Sequence, residues 1–99
     1  MVIQDENGVT IDSYPDHKLL GVIFDNLSET DLTKTHCLQF IDPYGDTTFN
    51  MLQKPVLVQE LRFLKSKCDD TTQAYLEPII MFLNKHEDEI HTYVKFYGD

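Results

Sequence analysis

Between residues 57 and 83 the apolar side chains recur at helical spacing twice, in two runs split by the polar stretch Asp69-Asp70-Thr71. Leu57, Leu61, Leu64 and Cys68 form the first stripe; Leu76, Ile79, Ile80 and Leu83 form the second. Residues three and four apart share one face of a helix, so each run predicts an amphipathic helix with a single face to bury. Pro55 suits a first turn, where its missing N–H costs nothing. Asp70 or Thr71 is expected to cap the second helix, with acids at the positive end of its dipole. Pro78 either sits in an early turn of that helix or kinks it. The acidic run His86-Glu87-Asp88-Glu89 opposes the dipole at the other end, which places the helix end near Lys85.

Two helices need something to cover, and the flanking segments read as strands. Asn7-Gly8 is a strong hairpin signal, so residues 1–14 are expected to form a hairpin pairing Glu6 with Val9, Gln4 with Ile11 and Val2 with Ser13. Val2, Val9 and Ile11 then share one face; Asp5, Thr10 and Asp12 share the other with Ile3, and one face is wet. Tyr14-Pro15-Asp16 breaks the pattern. Leu19 to Phe24 is read as a third strand, and residues 25–35 as a polar loop with one helical turn capped by Ser28. His36 to Ile41 is read as a central strand, apolar on both faces. Asp42-Pro43-Tyr44-Gly45-Asp46 is a turn, and Asn50 with Gln53 caps a short turn before the first long helix. Thr92, Val94 and Phe96 alternate with Tyr93, Lys95 and Tyr97 in a final strand. The order β-β-β-β-α-α-β gives one α+β domain over residues 1–99. It is an antiparallel-rich sheet of four to five strands with two helices packed on one face.

Charge narrows the partners. The chain carries 8 Lys and Arg against 17 Asp and Glu, a formal charge of −9. Acids concentrate in residues 1–53, where only Lys18 and Lys34 oppose them. Such a surface repels phosphate backbones, which argues against nucleic acid, and steers basic proteins toward it. No apolar run approaches the roughly 18 residues of a membrane span. Asp5 and Glu6 stand where a secretory signal would need a basic and then apolar stretch, so a cytoplasmic location is expected. Cys37 and Cys68 form neither a disulfide framework nor a zinc spacing and read as buried hydrophobes. His17, His36 and His86 lack ligand spacing, and phosphate-loop, dinucleotide, nucleophile-elbow and EF-hand patterns are missing, so no cofactor or metal is expected.

Two polar segments stand out. Residues 42–53 hold Asp42, Asp46, Asn50 and Gln53 around a tight turn leading into a helix, a common setting for binding groups. The simpler role for such residues is to hydrogen-bond the local backbone. Residues 91–97 place His91, Tyr93, Lys95 and Tyr97 on one face of a strand, either a binding row or a solvent-facing one. If the two segments meet, Asp46, Asn50, His91 and Lys95 form a candidate binding site; no catalytic set is expected. Tyr-Gly-Asp occurs at 44–46 and again at 97–99.

These two segments resemble the paired signatures of a group of small uncharacterised bacterial proteins with GDTxFNxLQ mid-chain and HxYxKFxGD at the end. Gly45, Asp46, Thr47, Phe49, Asn50, Leu52 and Gln53 match the first, and His91, Tyr93, Lys95, Phe96, Gly98 and Asp99 the second. Thr48 stands where that group more often has an apolar residue. The resemblance implies that the segments belong together in a structural lock and implies no reaction. In that lock Phe49, Leu52 and Phe96 are buried, and Asp46 or Asp99 takes backbone or Lys95 hydrogen bonds.

The favoured reading is a small acidic interaction module, an inhibitor or immunity-type partner of a basic protein. The alternatives are a ligand-binding protein or enzyme using Asp46, Asn50, His91 and Lys95, and a subunit that self-associates as a homodimer through strand 1–6 or 91–97.

Overall fold

The computed structural model describes residues 1–15 and 18–98. Strands β1 (Val2–Asp5), β2 (Thr10–Ser13), β3 (Thr47–Phe49) and β4 (Thr92–Phe96) form one antiparallel sheet in the order β2-β1-β4-β3. Helices α1 (Leu19–Asn26), α2 (Glu29–Thr33), α3 (Lys54–Ser66) and α4 (Asp70–Lys85) complete the α+β domain. The α3 and α4 stripes pack together and close the core over Ile3, Phe49, Val94 and Phe96 of the sheet. Among the described residues, no helix is long and apolar enough to cross a membrane. Asp16, His17 and Asp99, named in the turn, histidine and terminal-motif expectations, lie outside the described residues.

The two long helices form as their stripes predict. Leu57, Leu61 and Leu64 of α3 and Leu76, Ile79, Ile80 and Leu83 of α4 are all buried. Pro55 lies in the first turn of α3, and α4 runs through Pro78 to Lys85. The cap of α4 is Asp69, one residue earlier than expected: its carboxylate accepts the N–H of Thr72 at 2.8 Å and is held below the usual carboxylate range. Ser28 caps α2 as expected, accepting from the N–H of Asp31.

Two expected strands are not strands. Leu19–Asn26 is helical, with Leu19, Ile23 and Leu27 buried at i, i+4 and i+8 while Phe24 faces outward. A short apolar run does not distinguish strand from helix by periodicity, and here burial follows the helical period. Residues 36–41 form a 3₁₀ turn at Leu38–Phe40, with Cys37, Leu38 and Ile41 buried and Phe40 exposed. The N–H groups of His36, Cys37 and Leu38 all donate to the Glu60 carboxylate of α3, at 2.6, 2.9 and 3.1 Å. A side chain takes the donors that a strand would offer to a neighbour.

The hairpin forms with a different face buried. Val2 pairs with Ser13 as expected, but a bulge after Ile3 sets Gln4 opposite Thr10. Only Gly8 takes positive φ (79°) in the turn, and the Asp5 carboxylate accepts the N–H groups of Asn7 and Val9 at 2.9 Å each. This is a longer glycine-bulge loop rather than a two-residue turn with both centres left-handed. Ile3 faces the core, fully buried, whereas Val9 and Ile11 are 57% and 48% exposed. The strands offered as self-association edges, 1–6 and 91–97, are the inner pair of the sheet; its edges are β2 and β3.

Candidate functional site

The turn at 42–46 is built by its own side chains. Asp42 Oδ1 accepts the N–H of Tyr44 at 2.8 Å, and the N–H of Asp42 donates to Thr47 Oγ1 at 2.9 Å. The chain then enters β3, a strand that the polar composition of 47–49 concealed. Antiparallel pairing sets Thr47 opposite Phe96, Thr48 opposite Lys95 and Phe49 opposite Val94. The loop near Tyr44 therefore docks on the tail near Phe96. Phe49 and Phe96 meet edge to face at 5.9 Å. The two Tyr-Gly-Asp segments touch through their glycines: a Cβ at Gly98 would lie 2.8 Å or less from backbone atoms of Gly45. Lys95 Nζ sits 3.5 Å from Asp46 Oδ2, with the side chains 26% and 50% exposed. It also stands 5.0 Å from the Tyr97 ring centroid.

The candidate residues divide among separate tasks. Asn50 Oδ1 accepts from the N–H groups of Leu52 and Gln53, while Gln53 Oε1 accepts from the N–H of Asn50, a reciprocal cap that leads into α3. Tyr93, half-buried, faces Gln4 across the β1–β4 pair. His91, held at φ 59°, pairs through Nδ1 with Glu6 Oε2 at 3.3 Å. It lies four residues from Lys95, roughly 13 Å along an extended strand. Asp46 and Lys95 are brought together; His91 and Asn50 belong elsewhere. Leu52, expected in the core, is 76% exposed because the capping turn points it outward.

Sequence reasoning passed over the most buried polar group. Lys54, the first residue of α3, is 1% exposed. Its ammonium donates to the carbonyls of His86 (2.7 Å) and Glu89 (2.8 Å) and to Thr92 Oγ1. Thr92 Oγ1 in turn donates to the Glu89 carbonyl at 2.9 Å. Burial pushes the Lys54 ammonium below its ordinary value, and the nearby Glu89 and Asp88 carboxylates oppose that shift. A cation at a helix N-terminus opposes its own dipole, and that mismatch was the available signal. Here the cation serves the negative C-terminal end of α4 instead.

Beside it, buried His86 has a carboxylate at each ring nitrogen: Asp12 Oδ2 at 2.8 Å from Nε2, and Glu89 Oε1 at Nδ1. Asp12, also 3.3 Å from Lys85, is held below the usual carboxylate range chiefly by its bond to His86. This network fastens edge strand β2 to the end of α4. Cys37 is pushed up to about 11 by burial and by Glu60, an inert thiol at neutral pH. No group of three or more His, Cys, Asp or Glu among the described residues is arranged to hold a metal ion.

The end of the sheet where β1 and β3 finish and β2 and β4 begin gathers three loops: the hairpin tip 6–9, the capping turn 50–53 and the connection 86–91. These loops carry the acids Glu6, Glu87, Asp88 and Glu89. The same loops leave Val9, Met51, Leu52 and Ile90 exposed. Comparison with known proteins finds no matching family model, no matching curated protein and no matching solved structure.

Proposed function

We propose that this domain is a small acidic interaction module that docks the hairpin-tip and 86–91 end of its sheet onto a basic protein, as an inhibitor or immunity-type partner does. The observation that carries the reading is the composition of that end. Four exposed apolar side chains lie in three loops that also hold four carboxylates, over the fixed scaffold of Lys54 and His86. Interfaces combine an apolar centre with a charged rim, and acidic rims accelerate encounter with basic partners. The groups suggested for catalysis are engaged in turns, caps and ion pairs, which favours binding over chemistry. On this reading the signatures at 45–53 and 91–99 mark a shared structural lock within a group of small bacterial proteins, and the protein acts in the cytoplasm.

The test is affinity capture from a bacterial lysate at low salt, comparing wild type with a variant carrying Glu87→Lys and Ile90→Ser. These side chains lie outside the Lys54 and His86 bonds. The expected result is a strongly basic protein retained by wild type, lost with the variant and lost at high salt. Retention of the same proteins by both forms would overturn the reading.

A further inference from the structure

Four asparagines stand in the chain, and the fold gives them unequal surroundings. Asn26 ends α1, where its Nδ2 donates to the Val22 carbonyl at 2.9 Å. Asn50 is fixed by the capping turn, its Oδ1 accepting from the N–H groups of Leu52 and Gln53. Asn84 lies near the end of α4, inside the helix. Asn7 differs from all three. It stands at the exposed hairpin tip, outside any helix or strand, and its carboxamide makes no hydrogen bond among the described residues. The residue after it is Gly8, whereas Leu27, Met51 and Lys85 follow the others.

A backbone nitrogen can attack the side-chain carbonyl of a preceding asparagine when the carboxamide is free to turn and the next residue leaves the approach open. Gly8 has no Cβ and takes φ 79°, and a Cβ there would meet no heavy atom within 4 Å. The Gly8 N–H donates to the Asp5 carbonyl at 3.0 Å, so the reaction waits on the opening of that turn bond. Glu6, Asn7, Gly8 and Val9 are all exposed, so the opening takes no core contact apart.

We infer that Asn7 is a site of spontaneous deamidation, which converts the hairpin tip into aspartate and isoaspartate forms. The Gly8 nitrogen gives up its proton and bonds to Asn7 Cγ. The carboxamide nitrogen leaves with that proton as ammonia, closing a cyclic imide. Water then adds to either imide carbonyl and breaks its bond to nitrogen. Opening at Cγ yields aspartate; opening at the main-chain carbonyl yields isoaspartate, whose main chain runs through the former side chain. Nothing is oxidised or reduced. Isoaspartate inserts a methylene between the N–H groups of residues 7 and 9, which the Asp5 carboxylate accepts at 2.9 Å each, so that clasp loosens. Either product adds a carboxylate beside Asp5 and Glu6. The chemistry runs in the free chain and does not rest on the basic-partner reading.

The experiment holds the full folded chain at mildly alkaline pH over several weeks and maps its peptides by mass spectrometry. The mass gain of an amide-to-acid exchange is expected at Asn7, with isoaspartate as the larger product, while Asn26, Asn50 and Asn84 stay intact. The same measurement on the chain unfolded in guanidinium chloride sets the unprotected rate. The folded chain should react within about a hundredfold of that rate, because an exposed loop tip opens at little cost. Asn7→Gln keeps the carboxamide but must close a larger ring, and it should stay unconverted. Protection of Asn7 as great as that of the core amides in hydrogen exchange would overturn the inference, because the tip would then react only after global unfolding. Equal conversion at any other asparagine would overturn the assignment to the hairpin.

Discussion

Two joints tie the segment 42–54 to the segment 86–98, and they work by different physics. At the outer joint the Asp46–Lys95 pair is half in water, and the close approach of Gly45 and Gly98 brings the backbones together. At the inner joint the Lys54 ammonium is out of water, with all its donors directed at His86, Glu89 and Thr92. A surface ion pair contributes about 0–1 kcal/mol. Removing a buried donor costs about 1–3 kcal/mol for each acceptor left without a partner. The conspicuous charges are therefore the weaker fastening, and the lysine that follows the polar run unremarked is the stronger.

The largest effect is expected at the inner joint. Lys54→Met keeps the volume and removes the donors, leaving two carbonyls and a hydroxyl unsatisfied in the interior. A loss of about 3 kcal/mol is expected, read from the midpoint of urea unfolding at unchanged slope. An unchanged midpoint would mean that water reaches those carbonyls, and the contrast between the joints would collapse.

Next in size is the backbone contact at the outer joint. Gly98→Ala puts a methyl group into the backbone of Gly45, where no flexible side chain can give way. The strand end must shift, at about 2 kcal/mol. Gly21 sharpens the comparison, because a Cβ there meets nothing and the residue lies inside α1. Gly21→Ala should stabilise by about 0.5–1 kcal/mol, through helix propensity alone. Equal responses at the two glycines in thermal unfolding would show that the outer joint is loose.

What could be read in advance follows from the range of the interactions involved. The stripes of α3 and α4, the Ser28 cap, the Asn50–Gln53 cap and the alternation of β4 rest on neighbours a few residues apart, so sequence spacing shows them. The 36–41 segment went astray because its decisive partner, Glu60, lies on a helix more than twenty residues away. The hairpin faces were inverted because Ile3 alone enters the core, while its cross-strand neighbour Asp12 goes to His86. Counting apolar residues per face favours Val2, Val9 and Ile11, and no local rule weighs one buried isoleucine against a half-buried valine and two exposed side chains. The docking of 44–46 on 97–98 matches the lock that the resemblance implies, but the division of the candidate polar residues into separate tasks depends on register, which spacing does not reveal.

A smaller effect concerns pH and the edge strand. His86 holds the Asp12 carboxylate below its ordinary value in the folded state. A depressed carboxylate contributes stability that is complete above its unfolded value and is lost as pH falls through the folded one. Unfolding free energies of wild type and Asp12→Asn should therefore differ most near neutrality and converge below the ordinary carboxylate range. Asp69 and Glu77 are depressed in the same sense, so wild type still loses stability in acid when Asp12 is replaced. A constant gap between the two proteins from neutral pH into acid would show that Asp12 is not held by His86 in solution.

The smallest effect is the Asp46–Lys95 pair itself. A double-mutant cycle of Asp46→Asn and Lys95→Met isolates its coupling from the packing of the lysine stem on Tyr97. The coupling is expected below about 1 kcal/mol, and smaller still at 1 M salt, where screening acts over about 3 Å. A coupling that rivals the Lys54→Met loss, or one that salt leaves untouched, would mean that the pair is dry in solution. The outer joint would then fasten the chain by the same means as the inner one, and position in the interior, rather than the identity of the charge, would no longer separate them.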